Sequence, residues 1–425
     1  MTKTEERDSE AVAILKENDR GDFSVPTKGL YPFQWNWDSA FAALGYAHID
    51  PARGVTELKT LASAQWPDGM IPHIVFHRPD EGYFPGPEVW GTGTTPPTSG
   101  ITQPPVLALS MATLRKRGVL GDADLAPLLD TADRWHRWFF EARRDPKSGA
   151  IGVVHPWESG RDNMPDWDEA LAAVDASNVR PFKRRDTGHV DAAMRPTEEQ
   201  YKRYIALVEF GISVGWDQKR ILAECPFFVA DPGMTAILYR ADRALAELAN
   251  DAGREDIAAA AEDRADALVD GFGALWSEEI GGPTALDVRT GKYGTALSSA
   301  SFLGFAPGLL TAARTARLTK EFDRLAALCR FMVPSWDPEA PEFDEKRYWR
   351  GPVWLVVNWL IATGLEEAGD LARAERVRAD SGALVESGGF YEYFSPLDGA
   401  ALGGGAFTWT AAAWLDFVRG KHGRD

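Results

Sequence analysis

The chain has 425 residues and a formal charge of −17, because 63 Asp and Glu residues outnumber 46 Lys and Arg residues. It has no basic run that could follow a phosphate backbone and no window of about 18 apolar residues, which argues against nucleic acid and membrane as partners. The two cysteines, Cys225 and Cys329, match no zinc or redox spacing. We therefore expect packing residues in a soluble protein of the reducing cytoplasm.

The hydrophobic pattern repeats with the period of an α-helix along most of the chain. Very little alternates with the period of two that half-buried strands show. Asp50-Pro51 and Asp231-Pro232 combine a polar cap with an N1 proline, which is typical of helix starts. In chain order the predicted helices are Ser39 to His48, Ala52 to Trp66, Pro105 to Arg117, Asp124 to Arg143, Thr197 to Val214, Met234 to Ala252, Glu255 to Trp276, Pro307 to Ala316, Lys320 to Met332, Val353 to Glu367, Leu371 to Ser387 and Thr410 to Arg419.

Long connections rich in Gly and Pro separate these helices, at 67–102, 145–194, 277–300, 333–352 and 388–409. Connections of this length in a compact chain usually form lids or binding sites. One follows roughly each pair of helices, which predicts an all-α fold, an (α/α)6 barrel formed by residues 1–425 as a single domain. We expect the loops 67–102, 145–194 and 388–409 to cap a site at one mouth. A division into two domains near residue 220 is the alternative.

The loop HPWESGRDNMPDWD, residues 155–168, combines acids with tryptophans. The acids that compete for a role are Glu158, Asp162, Asp166, Asp168 and the adjacent Glu169. A carboxyl group beside an indole is partly desolvated, which favours its protonated form and makes it a candidate general acid. The pattern does not choose among the five, and each of them could instead cap a turn. We expect Trp157 and Trp167 to exclude water from this loop.

A second candidate acid lies in GGFYEYFSPLDG, residues 388–399. If this run is extended, Phe390, Glu392 and Phe394 share one face. A carboxylate on that face is either exposed to solvent, buried at an energetic cost or held for use. Two separated carboxyl groups in an aromatic pocket are what glycoside hydrolysis requires, since one protonates the leaving oxygen and the other activates water or attacks the sugar.

Other aromatic clusters could complete a sugar pocket. In GLYPFQWNWDSAFAALGY, Asp38 could cap a helix or accept hydrogen bonds from sugar hydroxyls, while Trp35 presents a ring face. The stretch RYWRGPVWLVVNW repeats this arrangement before a later helix. Together with the loops EGYFPGPEVW and TSGITQPP, these clusters supply the candidates Tyr31, Trp35, Trp37, Asp38, Tyr83, Gln103, Tyr348, Trp349, Arg350 and Trp354.

The sequence gives little support for a metal or a nucleotide cofactor. His73 and His77 have a spacing that can bind zinc on a helix, but Pro72 and the β-branched residues between them oppose a helix, and no third ligand is evident. There is no Gly-rich phosphate loop and no GxSxG elbow. We therefore expect no metal and no cofactor.

Four motifs in a fixed order, QWNWDSAF, ESGRDN, RYWRGPVW and GFYEYFSPLDG, resemble glycoside hydrolase family 63 from about Tyr31 to Trp414. The similarity is greatest to small bacterial members that hydrolyse mannosylglycerate or glucosylglycerate, which are compatible solutes. The resemblance implies an (α/α)6 barrel and inverting hydrolysis of an α-glycosidic bond, with Asp162 as general acid and Glu392 as general base. It also implies that Asp38 binds sugar and that Tyr31, Trp35, Tyr83, Gln103, Trp349 and Trp354 belong to the pocket.

By the same resemblance, Arg195 and Tyr201 hold the glycerate carboxylate, and Tyr348 adds a hydroxyl group to the pocket. A planar guanidinium can grip a carboxylate in a fork geometry, which a neutral sugar would not require. Arg195 could instead pair with Glu198 or Glu199. The chain departs from the family at GGGAFTW, where a polar side chain usually precedes the FTW or FSW motif. A glycerate contact is therefore missing or comes from another loop.

Three other functions compete with this interpretation. The first is an α-glucosidase or trehalase that acts on a neutral disaccharide. The second is a sugar epimerase or isomerase on the same barrel, but that chemistry usually depends on histidines, which lack a suggestive spacing here. The third is a non-catalytic carbohydrate-binding protein, which would not need Asp162 and Glu392 together. Gluco and manno substrates both fit the pattern, and so do several oligomeric states.

Overall fold

The computed structural model describes residues 2–188 and 190–420. Most of these residues lie in helices, joined by long connections that hold short helices and two-residue strands. The α-helices are α1 (Lys3–Asn18), α2 (Asn36–Tyr46), α3 (Pro51–Ser63), α4 (Pro87–Trp90), α5 (Leu107–Lys116), α6 (Asp122–Ala142), α7 (Asp168–Ala172), α8 (Glu198–Ser213), α9 (Gln218–Glu224), α10 (Pro232–Asp251), α11 (Glu255–Ala274), α12 (Ala312–Leu328), α13 (Leu355–Glu367), α14 (Leu371–Gly388) and α15 (Thr408–Ala413).

Six segments form a closed inner ring. In order around the ring they are α2, α5, α10, the 3-10 turn Ser301–Phe305, α13 and α15, and α15 packs back against α2. Each inner segment carries one outer helix, in the pairs α2 with α3, α5 with α6, α10 with α11, the 3-10 turn with α12, α13 with α14, and α15 with α1. This arrangement is the predicted (α/α)6 barrel, in which a single 3-10 turn fills the fourth inner position.

The inner and outer helices differ in burial because they pack on different numbers of neighbours. Every residue of α2 is buried, and so is nearly every residue of α13. An outer helix such as α12 buries only one stripe, formed by Leu318, Glu321, Phe322 and Leu325. Apolar residues all round a helix are expected where neighbours cover every face.

The predicted helices omit the short helices α4, α7 and α9, and they are wrong at α1 and α12. The sequence pattern missed α1, in which only Ala11, Ile14, Leu15 and Asn18 are buried; a capping box between Thr2 and Glu5 starts this polar helix. The pattern also split α12 into two helices, although no Gly or Pro interrupts it. The cap predictions were correct, since the side chains of Asp50 and Asp231 accept backbone hydrogen bonds at the starts of α3 and α10.

Short antiparallel strands order the long connections. The strands are β1 (Gln34–Trp35), β2 (Ile74–Val75), β3 (Gly152–Val153), β4 (Val229–Ala230), β5 (Trp276–Ser277), β6 (Gly282–Pro283), β7 (Leu286–Asp287), β8 (Lys292–Tyr293), β9 (Tyr393–Phe394) and β10 (Ala401–Leu402). They form the pairs β1–β2, β5–β6 and β9–β10 and the four-stranded sheet β3–β4–β7–β8. Trp35 pairs with Ile74, which places the loop after residue 67 beside the start of α2.

Two further expectations concern the core and the membrane. Cys225 and Cys329 are free, buried thiols, as expected of packing residues. Among the helices in the described part of the chain, none is long and apolar enough to cross a membrane.

A buried ion pair attaches the acidic loop to the barrel. Arg143, just after α6, donates from Nη2 to Glu158 Oε1 (2.7 Å) and from Nε to Glu158 Oε2 (2.9 Å), and both side chains are fully buried. The backbone N–H of Val154 also donates to Glu158, at 2.9 Å. Glu158 therefore fixes the loop rather than facing solvent.

We expect Arg143→Ala to lower the free energy of unfolding by about 3–5 kcal/mol, because it leaves a carboxylate buried without its partner. Urea denaturation followed by circular dichroism measures the loss. The control is Arg220→Ala, which removes the half-exposed pair with Glu224 and should cost less than about 1 kcal/mol. Equal, small losses in the two variants would show that the buried pair does not anchor the loop.

Candidate active site

A cavity lies where the segments that precede α2, α8 and α15 meet the loops after α3 and α6. Ten Phe, Tyr and Trp residues of the described chain line its wall, with carboxyl, guanidinium, amide and hydroxyl groups set among the rings. The residues of the wall that the sequence had singled out as the site are Tyr31, Trp35, Trp37, Asp38, Tyr83, Gln103, Asp162, Arg195, Tyr201, Tyr348 and Glu392. Trp349 and Trp354 are not in the wall.

Position separates the five acids of the 155–168 loop. Asp162 lines the cavity, whereas Glu158 pairs with Arg143 beneath it. Asp168 pairs with Arg350, and Glu169 pairs with Lys292 on the surface. Asp166 lies outside the cavity wall, close to Arg161. Among these acids, Asp162 is therefore the one placed to meet a ligand in the cavity.

The backbone around Asp162 is held from three sides. Tyr204 of α8 donates its hydroxyl to Asp162 O at 2.8 Å. Arg161 pairs with Asp231, the residue that caps α10. Gly160 has a positive φ of 66°, and a Cβ there would lie 2.6 Å from Trp37 Cζ2, so this close turn requires glycine.

Burial raises the pKa of Asp162 to about 7; the positive charge of Arg195 opposes this rise, and the negative charge of Glu392 adds to it. Below that pH the group keeps its proton and can donate it. Burial raises the pKa of Asp166 to about 7 as well. A shifted pKa alone therefore does not mark the acid that faces the cavity.

Glu392 lines the same cavity and is almost fully buried, and its carboxylate oxygens accept three hydrogen bonds. Tyr31 and Tyr348 both donate to its Oε1, at 3.0 and 3.1 Å, and the N–H of Gly404 donates to its Oε2 at 3.1 Å. Burial raises the pKa of Glu392, and Arg195 and these donors oppose the rise. A Cβ on Gly403, where φ is 74°, would collide with Glu392 Oε2. The free lone pair of Oε2 is available to accept a proton.

The run around Glu392 is extended only in part. Phe390, Glu392 and Phe394 are buried, as expected of one face. Tyr393 of β9 is fully buried too, and Tyr391 is partly exposed, so the opposite face is not simply solvated. The antiparallel partner β10 and the indole of Trp354 cover this segment.

Asp38 does not cap α2. Trp35 occupies the N-cap position and no side chain caps the helix, while Asp38 lies one turn in and faces the cavity. Burial raises the pKa of Asp38, and the charges of Glu392 and Asp162 raise it further. The side chain of Gln103 accepts a hydrogen bond from Trp37 N at 3.3 Å, which leaves its amide NH2 as a donor.

Arg195 pairs with neither Glu198 nor Glu199, which interact with Arg184 and Arg203. Its Nε donates to Asp186 Oδ2 at 3.2 Å, and its Nη2 donates to Tyr31 OH at 2.9 Å. Nη1 is buried and has no hydrogen-bond partner within residues 2–188 and 190–420.

The neighbouring aromatic residues shape the same side of the cavity. Tyr201 donates its hydroxyl to Phe84 O at 3.0 Å, and its ring lines the wall. Trp35 and Tyr83 meet edge to face, with ring centroids 5.3 Å apart. The rings therefore support one another rather than projecting singly into the cavity.

Trp349 and Trp354 form a stacked pair, with centroids 3.7 Å apart, and both are fully buried. Trp354 packs against Tyr348 at 5.1 Å and against Trp409 at 5.8 Å. The pair therefore supports wall residues from behind. Trp167 is also buried behind the wall, where it donates to Arg161 O, whereas Trp157 lines the cavity as expected.

Sequence reasoning missed several wall residues. The FTW motif offered a signal for Phe407 and Trp409, and the Trp409 indole donates to Glu392 O at 3.3 Å. Arg185 and Asp186 lie in an irregular stretch whose sequence carries no period. His73 is in the wall and bonds to Ser99, while His77 bonds to Gln34. The described residues contain no cluster of three or more side chains suited to a metal ion.

An (α/α)6 barrel with two buried acids in an aromatic cavity at its mouth is the arrangement expected of a glycoside hydrolase. Residues 31–410 match the model of the mannosylglycerate hydrolase MGH1-like glycoside hydrolase domain, and the chain belongs to this family. The predicted resemblance to glycoside hydrolase family 63 is thereby confirmed.

Several known proteins are similar to the chain over most of its length. Mannosylglycerate hydrolase MGH1 of Selaginella moellendorffii is 44% identical over 95% of this chain and 84% of its own length. Glucosylglycerate hydrolase of Mycolicibacterium hassiacum is 36% identical over 96% of both chains. The crystal structure of the family 63 mannosylglycerate hydrolase from Thermus thermophilus with Tris and D-glycerate is 42% identical, with a TM-score of 0.91 over 96% of this chain and 98% of that one.

The raised pKa of Asp162 predicts a stability effect. The native carboxyl keeps its proton up to about pH 7, whereas in the unfolded chain it loses the proton near pH 4. The native state binds the extra proton between these values, so the group lowers stability as pH rises through this window, with the full loss above pH 7. We expect Asp162→Asn to melt at a higher temperature than the unsubstituted protein at pH 8, and by a smaller margin at pH 5.

Thermal unfolding at the two pH values measures this difference. The control is Asp263→Asn, which changes an exposed carboxylate of α11 and should give no such pH dependence. A margin for Asp162→Asn that does not depend on pH would contradict the raised pKa.

Proposed function

We propose that the protein is an inverting α-glycoside hydrolase that releases a hexose and glycerate from mannosylglycerate, glucosylglycerate or both. The observation that carries the proposal is the pairing, in one cavity, of two buried acids in different surroundings. The carboxyl group of Asp162 receives no hydrogen bond from another residue of the described chain, and Glu392 receives three. The first arrangement favours the protonated form and the second favours the carboxylate.

In this mechanism Asp162 donates its proton to the glycosidic oxygen as the C1–O bond breaks. Glu392 Oε2 accepts a proton from a water molecule, whose oxygen attacks C1 from the opposite face of the sugar. The products are a hexose of inverted anomeric configuration and glycerate. Asp162 is then ionised and Glu392 protonated, and proton exchange with water restores both groups.

The proposed aglycone is an anion because of Arg195. A buried guanidinium at a cavity wall, whose Nη1 has no hydrogen-bond partner within the described chain, is suited to a carboxylate. The relatives named for mannosylglycerate and glucosylglycerate, and the related structure with D-glycerate, support the same substrate class. Tyr201 and Tyr348 border this part of the cavity.

The GGGAFTW departure supports a glycerate site built mainly by residues 185–188 and 195–201. Gly403 and Gly404 lie against Glu392, and Gly405 lies against Tyr391, so this turn offers backbone rather than a polar side chain. Arg185, next to Asp186 in the wall, is the replacement we propose for the missing contact. We also propose a cytoplasmic location, since two free buried thiols suit a reducing compartment.

We expect Asp162→Asn and Glu392→Gln each to lower kcat by about 100- to 10,000-fold, the usual range for loss of a general acid or base. Both substitutions keep the shape of the side chain, so the variants should remain folded. Hexose release from mannosylglycerate, glucosylglycerate and trehalose, assayed side by side, measures the effect. Turnover near that of the unsubstituted enzyme would remove the residue concerned from its role.

The first sugar anomer seen by NMR tests inversion. An α-glycoside should yield the β-hexose before mutarotation mixes the anomers. A first product in the α-configuration would contradict the inverting mechanism while leaving the hydrolase assignment intact.

We expect Arg195→Ala to change substrate preference. Hydrogen bonds to charged groups contribute about 1.5–3 kcal/mol, so kcat/KM for glucosylglycerate should fall about 10- to 100-fold relative to glucosylglycerol, in which a hydroxymethyl group replaces the carboxylate. The neutral substrate is the internal control for effects on Glu392. An unchanged ratio, together with efficient trehalose cleavage, would favour a hydrolase of neutral disaccharides.

A further inference from the structure

Arg195 and Glu392 lie close together without a hydrogen bond. Arg195 Nη1 is 3.9 Å from Glu392 Oε2, and both side chains are buried. Opposite charges at this distance attract strongly in a site shielded from water, and a shift of about 1 Å would create a direct hydrogen bond. The guanidinium is therefore held at this distance by its other contacts.

Asp186 provides the strongest of these contacts. It accepts a hydrogen bond from Arg195 Nε at 3.2 Å and bonds from Arg184 Nη2 and Nε at 2.7 and 3.0 Å. Arg184 is itself fixed, because its Nη1 donates to Pro196 O at 2.7 Å and its guanidinium lies 4.4 Å from the centre of the Tyr201 ring. Asp186 is thus tied to the start of α8.

Asp186 carries a negative charge in this position. Burial acts to raise its pKa, but the hydrogen bonds of Arg184 and the charge of Arg195 outweigh it and keep the pKa below the ordinary value. The ionised carboxylate pulls Arg195 away from Glu392. Tyr31 assists, since its hydroxyl accepts from Arg195 Nη2 and donates to Glu392 Oε1.

We propose that Asp186 is a positioning residue that restrains Arg195 from closing onto Glu392. The restraint leaves a lone pair of Glu392 Oε2 free for the attacking water and leaves Arg195 Nη1 free for the aglycone. This inference rests on the proposed function, in which Glu392 is the base.

Loss of the restraint has a predictable electrostatic result. The groups that face Glu392 are Tyr31, Asp38, Asp162, Arg195, Tyr348 and Tyr393. Of these, Arg195 is the one whose position depends on Asp186. If its distance to Glu392 falls to about 2.9 Å, Coulomb's law with an effective dielectric constant of about 20 lowers the pKa of Glu392 by about one unit.

The test compares Asp186→Asn with the unsubstituted enzyme in pH profiles of kcat/KM, which report groups of the free enzyme. Mannosylglycerate and glucosylglycerate are the substrates. We expect the acidic limb of the Asn variant to move to lower pH by about one unit and kcat to fall, because Oε2 is occupied. Asp186→Glu retains the negative charge, so its acidic limb should lie close to that of the unsubstituted enzyme. Asp175→Asn, an exposed change in the same long loop, should leave the profile unchanged.

Three outcomes would overturn the inference. One is an Asn variant with an unshifted limb, whether or not kcat falls, since loss of kcat alone is what a merely structural role would give. Another is a limb shift of the same size when Asp186→Asn is added to Arg195→Ala, where the Arg195 guanidinium is no longer present to move. If the Asn variant does not fold, Arg184→Gln takes its place and should shift the acidic limb in the same direction by a smaller amount. The third contradicting outcome is an Arg184→Gln variant whose limb does not shift.

Failure of this inference is distinguishable from failure of the proposed function. If Glu392→Gln retains full turnover, the base assignment itself is wrong. If Glu392→Gln is inactive while Asp186→Asn keeps the unsubstituted pH profile, only the role of Asp186 is wrong.

Discussion

Three buried carboxyl groups share one cavity, and the other side chains of the site offset the cost of burying negative charges close together. Asp38, Asp162 and Glu392 each have a raised pKa, with burial as the largest cause. Arg195 supplies the positive charge that opposes the rise at Asp162 and Glu392. The packed core outside the site has most of its polar groups paired, as the buried ion pair of Arg143 and Glu158 shows. The fold can therefore tolerate the buried carboxyl groups of the cavity.

The closed ring of helices explains how residues far apart in the chain reach one cavity. Asp162 follows α6, Arg195 precedes α8 and Glu392 precedes α15, and all three segments open at the same end of the barrel. Each acid is then fixed by a different neighbour, Tyr204 for the backbone of Asp162 and the Tyr31–Tyr348 pair for Glu392. Closure of the ring brings these residues close together, and local hydrogen bonds distinguish the surroundings of the proposed acid from those of the proposed base.

Periodicity predicted the barrel because inner and outer helices carry strong apolar patterns, but it failed where packing rather than pattern decides. The polar helix α1 is stabilised by its cap and by α15, a partner at the other end of the chain. Motif resemblance identified Asp162, Glu392 and Arg195, which line the cavity. It could not separate the aromatic residues of the wall from Trp349 and Trp354, because a sequence motif does not show whether an aromatic ring lines a cavity or packs behind its wall. Asp186 lies in a segment with no period, so only the fold reveals its contact with Arg195.

Position, rather than an altered pKa, is what distinguishes the proposed acid. Asp162 and Asp166 lie only four residues apart in the same loop, and burial raises the pKa of each to about 7. The positive charge of Arg161 lies near Asp166 and opposes the rise there, as Arg195 does at Asp162. Asp166 is not in the cavity wall, whereas Asp162 lines a cavity that also contains Glu392. General acid catalysis requires a proton that can reach the substrate, and of the two groups Asp162 alone meets that condition.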